Sequence, residues 1–137
     1  MPTTHHVGTT VEDLDRAVEF YSETFGFEEL ARFDVAGEAF ATGVGVPGAA
    51  AQFAHLDGDG VRVELVSYDP GGEDAAGSVN DTGAKHLGIE VEDIEAFYAD
   101  LGEDIETLSA PQTSETGSKI LFVKDPEGNL IEVIEPA

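Results

Sequence analysis

Cysteine is absent from the 137-residue sequence, which removes both a disulfide framework and a thiolate metal site. Basic side chains are scarce: 6 Lys and Arg stand against 29 Asp and Glu, for a net charge of −23. A field of that sign repels a phosphate backbone, so nucleic acid is excluded as a partner. No stretch approaches the roughly 20 consecutive apolar residues of a membrane-spanning helix, and no membrane role is expected. The opening Met1-Pro2-Thr3-Thr4-His5-His6 runs straight into a strand-like segment and does not read as a signal peptide. The expected location is cytoplasmic.

What is present suits one folded domain. A hydrophobic fraction of 41% with 8 Phe can supply a core, and the length is that of a single domain. Acidic composition can also signal disorder, but here the acids are interleaved with periodic apolar positions. The expected surface is a coat of carboxylates. That is a halophilic composition, like that of proteins from salt-loving archaea, in which concentrated salt screens the self-repulsion.

One segment occurs twice. His6-Val7-Gly8-Thr9-Thr10-Val11-Glu12-Asp13-Leu14-Asp15 lies over His86-Leu87-Gly88-Ile89-Glu90-Val91-Glu92-Asp93-Ile94-Glu95, with half the pairs identical. Each copy reads as a short strand feeding a helix. The helical stripes are Leu14, Ala17, Val18 and Tyr21 in the first copy, and Ile94, Phe97, Tyr98 and Leu101 in the second. Glu12-Asp13 and Glu92-Asp93 put negative charge in the first turn, where the helix dipole favours it. Gly26 and Gly102 are expected as left-handed C-caps.

The following strands correspond as well. After the first helix come Phe27 to Val35, then Phe40 to Val46 or Ala51 to Leu56, then Val61 to Val66. After the second come Ile105 to Leu108, Ser118 to Val123 and Leu130 to Ile134. Gly-containing turns, Asp57 to Gly60 and Asp125 to Asn129, precede the two closing strands. Each half thus reads βαβββ, an α+β organisation. Module 1 covers about 4–68 and module 2 about 84–136, with a Gly-, Asp- and Ser-rich linker over 69–83. Ala110 to Gly117 is expected as a mobile loop able to cover a site.

Glu64 and Glu132 lie inside the apolar closing strands. A single such Glu faces solvent by default, because an unpartnered carboxylate in an apolar cavity is costly. A lone His at a strand start, such as His6 or His86, is usually structural. The four together read differently. Pseudo-symmetric halves bring the two His to equivalent places, and likewise the two Glu. If the strand faces close on one cavity, two imidazoles and two carboxylates suit a divalent ion: Ni, Zn, Co, Fe or Mn. His5 is expected to face away from His6 by strand alternation. His55 has no counterpart in the second half and reads as structural or exposed.

The stretch from His6 through Val11-Glu12-Asp13-Leu14-Asp15-Arg16-Ala17-Val18-Glu19-Phe20-Tyr21 to Phe25-Gly26-Phe27 resembles the opening of the vicinal oxygen chelate superfamily. This group includes glyoxalase I, bleomycin resistance proteins and extradiol dioxygenases. The closing Asp125-Pro126-Glu127-Gly128-Asn129-Leu130-Ile131-Glu132 resembles its Asp-Pro-x-Gly-Asn-x-x-Glu ending, and His86-Leu87-Gly88-Ile89-Glu90-Val91 its second His motif. The resemblance implies paired βαβββ modules in a curved, partly open barrel-like sheet, commonly as a homodimer. It also implies metal ligands at His6, Glu64, His86 and Glu132.

Retention of all four is similar to the glyoxalase I pattern. That pattern implies a lyase or isomerase of a small-molecule substrate, with the metal as Lewis acid and Glu132, or else Glu64, shuttling a proton. Two features depart from it. Few basic residues are available for glutathione carboxylates, and Ser67-Tyr68-Asp69-Pro70 stands where an Asn is expected for thiol binding. An epimerase would need an acid within Pro47-Gly48-Ala49-Ala50-Ala51-Gln52, and none is there. Extradiol dioxygenases are usually longer and use two His and one Glu. A non-catalytic module that sequesters an antibiotic is the alternative from another class, with Phe27, Phe33, Phe40, Phe53 and Phe122 as candidate cavity lining or simply core.

Overall fold

A computed structural model describes residues 2–74 and 77–137. The chain divides into two compact units, Met1–Glu73 and Asp74–Ala137. Unit 1 runs β1 (Val7–Thr10), α1 (Leu14–Phe25), β2 (Glu28–Val35), α2 (Glu38–Val44), β3 (Ala50–Asp57) and β4 (Arg62–Asp69). Unit 2 runs β5 (Leu87–Glu90), α3 (Ile94–Asp100), β6 (Gln112–Thr113), β7 (Lys119–Lys124) and β8 (Leu130–Glu135). Each builds one four-stranded mixed sheet, ordered β1-β4-β3-β2 and β5-β8-β7-β6. The α+β class and the tandem βαβββ modules are those the repeat predicts.

The repeat extends to the register. Gly8 pairs with Glu64 in the parallel ladder of β1 and β4, and Gly88 pairs with Glu132 in that of β5 and β8. Just beyond each ladder the bonds also match, Val11 N–H donating to Val66 O and Val91 N–H to Ile134 O.

The helices begin as their sequences dictate. Asp13 caps α1 by accepting from the Arg16 N–H at 3.1 Å, and Asp93 caps α3 by accepting from Ala96 at 3.0 Å. The stripe Leu14, Ala17, Val18 and Tyr21 is buried against β3 and β4, whose Ala54, Leu56, Val63 and Leu65 are fully enclosed. In unit 2, Ile94, Leu121, Val123, Ile131 and Val133 form the equivalent layer. There the stripe is only partly covered: Phe97 and Leu101 are half-buried and Tyr98 is exposed.

One open alternative is decided and three expectations are corrected. Phe40 to Val46 is not a strand; most of it lies in α2, between Gly37 and a left-handed Gly45, and Ala51 to Leu56 is the strand. Gly26 is left-handed at φ 73°, but α3 ends at an extended Leu101. Gly102 is not among the left-handed glycines, and a Cβ there would lie 2.9 Å from Asp104 Oδ1, the end of a side chain that can turn aside. Ile105 to Leu108 contributes only a bridge between Thr107 and Val123. Ala110 to Gly117 is no free loop, because Gln112 and Thr113 pair with Ile120 and Lys119 and Ser114 N–H donates to Ser118 O.

The closing turn of unit 2 explains its sequence. Asp125 is 4% exposed and accepts from the backbone N–H of Glu127 and of Asn129, and from Asn129 Nδ2, each at 2.9 Å. Gly128 supplies the left-handed residue at φ 87°. Asp125→Ala strands these donors, and chemical denaturation is expected to show a loss of about 1–3 kcal/mol. A loss under roughly 0.5 kcal/mol, the range of ordinary surface substitutions, would show that the turn holds without the carboxylate.

Candidate metal centre

Strand alternation sorts the side chains of unit 1 onto two faces. Val63 and Leu65 face α1. Glu64, Val66 and Tyr68 point the other way, beside Ala51, Phe53 and His55 of β3, which pair with Tyr68, Val66 and Glu64 respectively. His6 precedes β1, two residues before the Gly8 that lies against Glu64. Its Nε2 lies 3.4 Å from Glu64 Oε1, with the side chains 36% and 13% exposed. A Cβ on Gly8 would come within 3.8 Å of both Glu64 Oε1 and His6 Cδ2, so glycine leaves room beside this pair.

Unit 2 repeats the arrangement. His86 Nε2 lies 3.3 Å from Glu132 Oε1, with exposures of 37% and 24%. Both separations exceed an ordinary hydrogen bond. They match two donors on one ion, since bonds of about 2.0–2.2 Å at octahedral or tetrahedral angles put adjacent ligand atoms about 3.0–3.4 Å apart. The donor set therefore fits a borderline divalent metal. Among the described residues no three His, Asp or Glu side chains are gathered as a ready cage. Each unit supplies one His–Glu pair.

Of the two readings of His55, structural or exposed, the first holds, for its side chain is 12% exposed and partnered. Its Nε2 lies 2.8 Å from Glu64 Oε2, its ring stacks toward His6 at 6.0 Å, and Phe33 meets it edge-on at 5.1 Å. The signal was available in the β3–β4 hairpin, whose turn at Asp57 to Gly60 sets His55 opposite Glu64. The same count in unit 2 sets Phe122 opposite Glu132, with its ring 5.2 Å from that of His86. The reading of His5 is corrected. It lies ahead of β1, where alternation does not apply; its Nδ1 is 2.9 Å from His6 Nδ1, and its Nε2 is 2.6 Å from the Arg62 guanidinium.

Aromatic rings continue from His55 along the same face. Phe33 stacks on Phe53 at 5.1 Å, Phe40 meets Phe53 edge-on at 6.1 Å, and Phe40 stacks on Tyr68 at 6.4 Å. Phe27 packs instead on Phe25 at the end of α1. Three of the six cations are committed to acids, Arg32 to Glu29 and Asp15, Lys119 to Glu135 and Lys124 to Glu106, while Arg62 lies beside His5. Hydrogen bonds that Arg32 donates to Glu29 and Asp15 raise its pKa further, so this cation keeps its charge. Among the described residues, no helix is long and apolar enough to cross a membrane.

With this geometry in place, comparison with known proteins is informative. The family profile described as Glyoxalase/Bleomycin resistance protein/Dioxygenase superfamily matches residues 3–133. A protein of Arabidopsis thaliana named lactoylglutathione lyase is 32% identical over 95% of this chain, and the chain spans 43% of that protein's length. A 2-epi-5-epi-valiolone epimerase of Actinomyces sp. is also 32% identical over 95% of the chain, which covers 77% of it. The crystal structure of a glyoxalase family protein from Bacillus cereus superposes with a TM-score of 0.84 at 24% identity, covering 98% of this chain and 94% of that one.

Proposed function

Because the chain belongs to the Glyoxalase/Bleomycin resistance protein/Dioxygenase superfamily, we propose that His6, Glu64, His86 and Glu132 hold one divalent ion. On this reading the protein is a glyoxalase I-like lyase or isomerase of a small carbonyl compound. One observation carries it: the His–Glu pair occurs twice, at the same ladder register and nearly the same separation. Two imidazoles and two carboxylates suit Ni, Zn, Co, Fe or Mn. When bound, such an ion supplies Lewis acidity toward a carbonyl oxygen.

The chain's own part is proton transfer and orientation. Glu132 takes the proton from the carbon beside the carbonyl and returns it to the neighbouring carbon, with Glu64 as second candidate. The rings of Phe33, Phe53, Phe40 and Tyr68 exclude water and hold an apolar group. With Arg32, Lys119 and Lys124 paired to acids and Arg62 set beside His5, few cations are left for the carboxylates of glutathione, and a less anionic thiol partner suits the site. A homodimeric, cytoplasmic working form belongs to the same proposal, as does a surface built for concentrated salt.

A second reading, sequestration of an apolar small molecule such as an antibiotic, draws on the same rings. A cavity of about 690 Å³ lined by Ala36, Gly37, Ala41, Thr42, Pro47 and Ala49 favours it too. Metal analysis of the purified chain separates the two. The expected result is bound divalent metal, lost in His6→Ala, with methylglyoxal consumed in the presence of at least one thiol of a panel. A chain that takes up no divalent metal would sink the enzymatic reading in favour of sequestration.

A further inference from the structure

The two His–Glu pairs are alike in register but not in what stands beside the carboxylate. In unit 1 the cross-strand neighbour of Glu64 is His55, an imidazole 2.8 Å from Oε2. In unit 2 the same place holds Phe122, which has nothing to donate. An ionised carboxylate only accepts, so the contact requires the His55 proton on Nε2. The ring is held for this: its side chain is 12% exposed, met edge-on by Phe33 and stacked toward His6.

We propose that His55 is a positioning residue for Glu64. It occupies Oε2 and so presents Oε1, the oxygen nearer His6 Nε2, as the ligand atom. Residues that hydrogen-bond a metal ligand orient it and preserve affinity. Glu132, with Phe122 beside it and a more exposed side chain, keeps the freedom to swing that Glu64 has lost. The sequence symmetry is thereby broken by one residue into a fixed carboxylate and a movable one. This rests on the metal reading above.

The test is Co²⁺ binding to the full chain, measured by competition with a chromophoric chelator, in wild type, His55→Phe and His55→Gln. The Phe variant copies the second unit, while the Gln amide restores a donor of similar reach. His55→Phe is expected to weaken Co²⁺ about 10–100-fold, and His55→Gln to recover most of that loss. Metal-free thermal midpoints of the two variants should agree, which separates positioning from packing. Equal losses in both would identify His55 as a direct ligand or a packing residue and overturn the proposal. Unchanged affinity in His55→Phe would overturn it as well. A wild-type chain that binds no Co²⁺ would instead overturn the metal reading itself.

Discussion

On the proposed reading of Glu132 as general base, Glu132→Gln is expected to leave the chain folded and to cut turnover by about 10²- to 10⁴-fold. The fold should survive because the ladder from β8 to β5 and β7 uses backbone groups, and Ile131 and Val133 fill the opposite face. The amide keeps the size of the side chain and an oxygen donor but cannot take a proton. Turnover is read as methylglyoxal consumption with a thiol that supports the wild type, and folding by circular dichroism. Glu64→Gln should differ, registering first as weaker metal binding, because that carboxylate is tied to His55. A Glu132→Gln protein that keeps more than a tenth of wild-type turnover would remove Glu132 from the chemistry.

The second large effect concerns salt. A net charge of −23 cannot be offset locally, since only 6 Lys and Arg stand against 29 acids. Repulsion among the rest acts over roughly 30 Å at 0.01 M salt and only about 3 Å at 1 M. Relieving even roughly 3 kcal/mol of it corresponds to about 10 °C in a domain of this size. The thermal midpoint should therefore rise by about 10 °C or more between dilute buffer and molar KCl. A midpoint that stays flat across that range would mean the carboxylate coat carries no such cost.

Much of the architecture could be read from periodicity because both halves say the same thing. The stripe from Leu14 to Tyr21 is the buried face of α1, and the acids at Asp13 and Asp93 are the caps. Misreadings fall where local and tertiary signals diverge. Phe40 to Val46 is apolar and Gly-rich, which suits a strand as well as a short helix, and the flanking Gly37 and Gly45 decide for α2. Gly102 carries the same signal as Gly26 after a helix, yet α3 ends at an extended Leu101 and no left-handed cap follows. The two His–Glu contacts were legible in the four repeated residues, and the contact of His55 with Glu64 was not. His55 lies outside the repeated segment, and comparing residue types hides that Phe122 occupies its place. Counting outward from the turn, rather than matching letters, finds it.

The parallel pairing of β1 with β4, and of β5 with β8, has a consequence for the order of folding. Each pair joins the first strand of a unit to its last, which makes it the most non-local pairing of that unit. Such non-local closure is the slow, entropically costly step of a small mixed domain. Each His–Glu pair depends on that closure, because its two members come from opposite ends of the unit. A nascent or half-folded chain has no donor pair to offer, and an ion that binds only the finished units shifts the balance toward them in proportion to its concentration over its Kd. Metal supply and folded yield would then rise together.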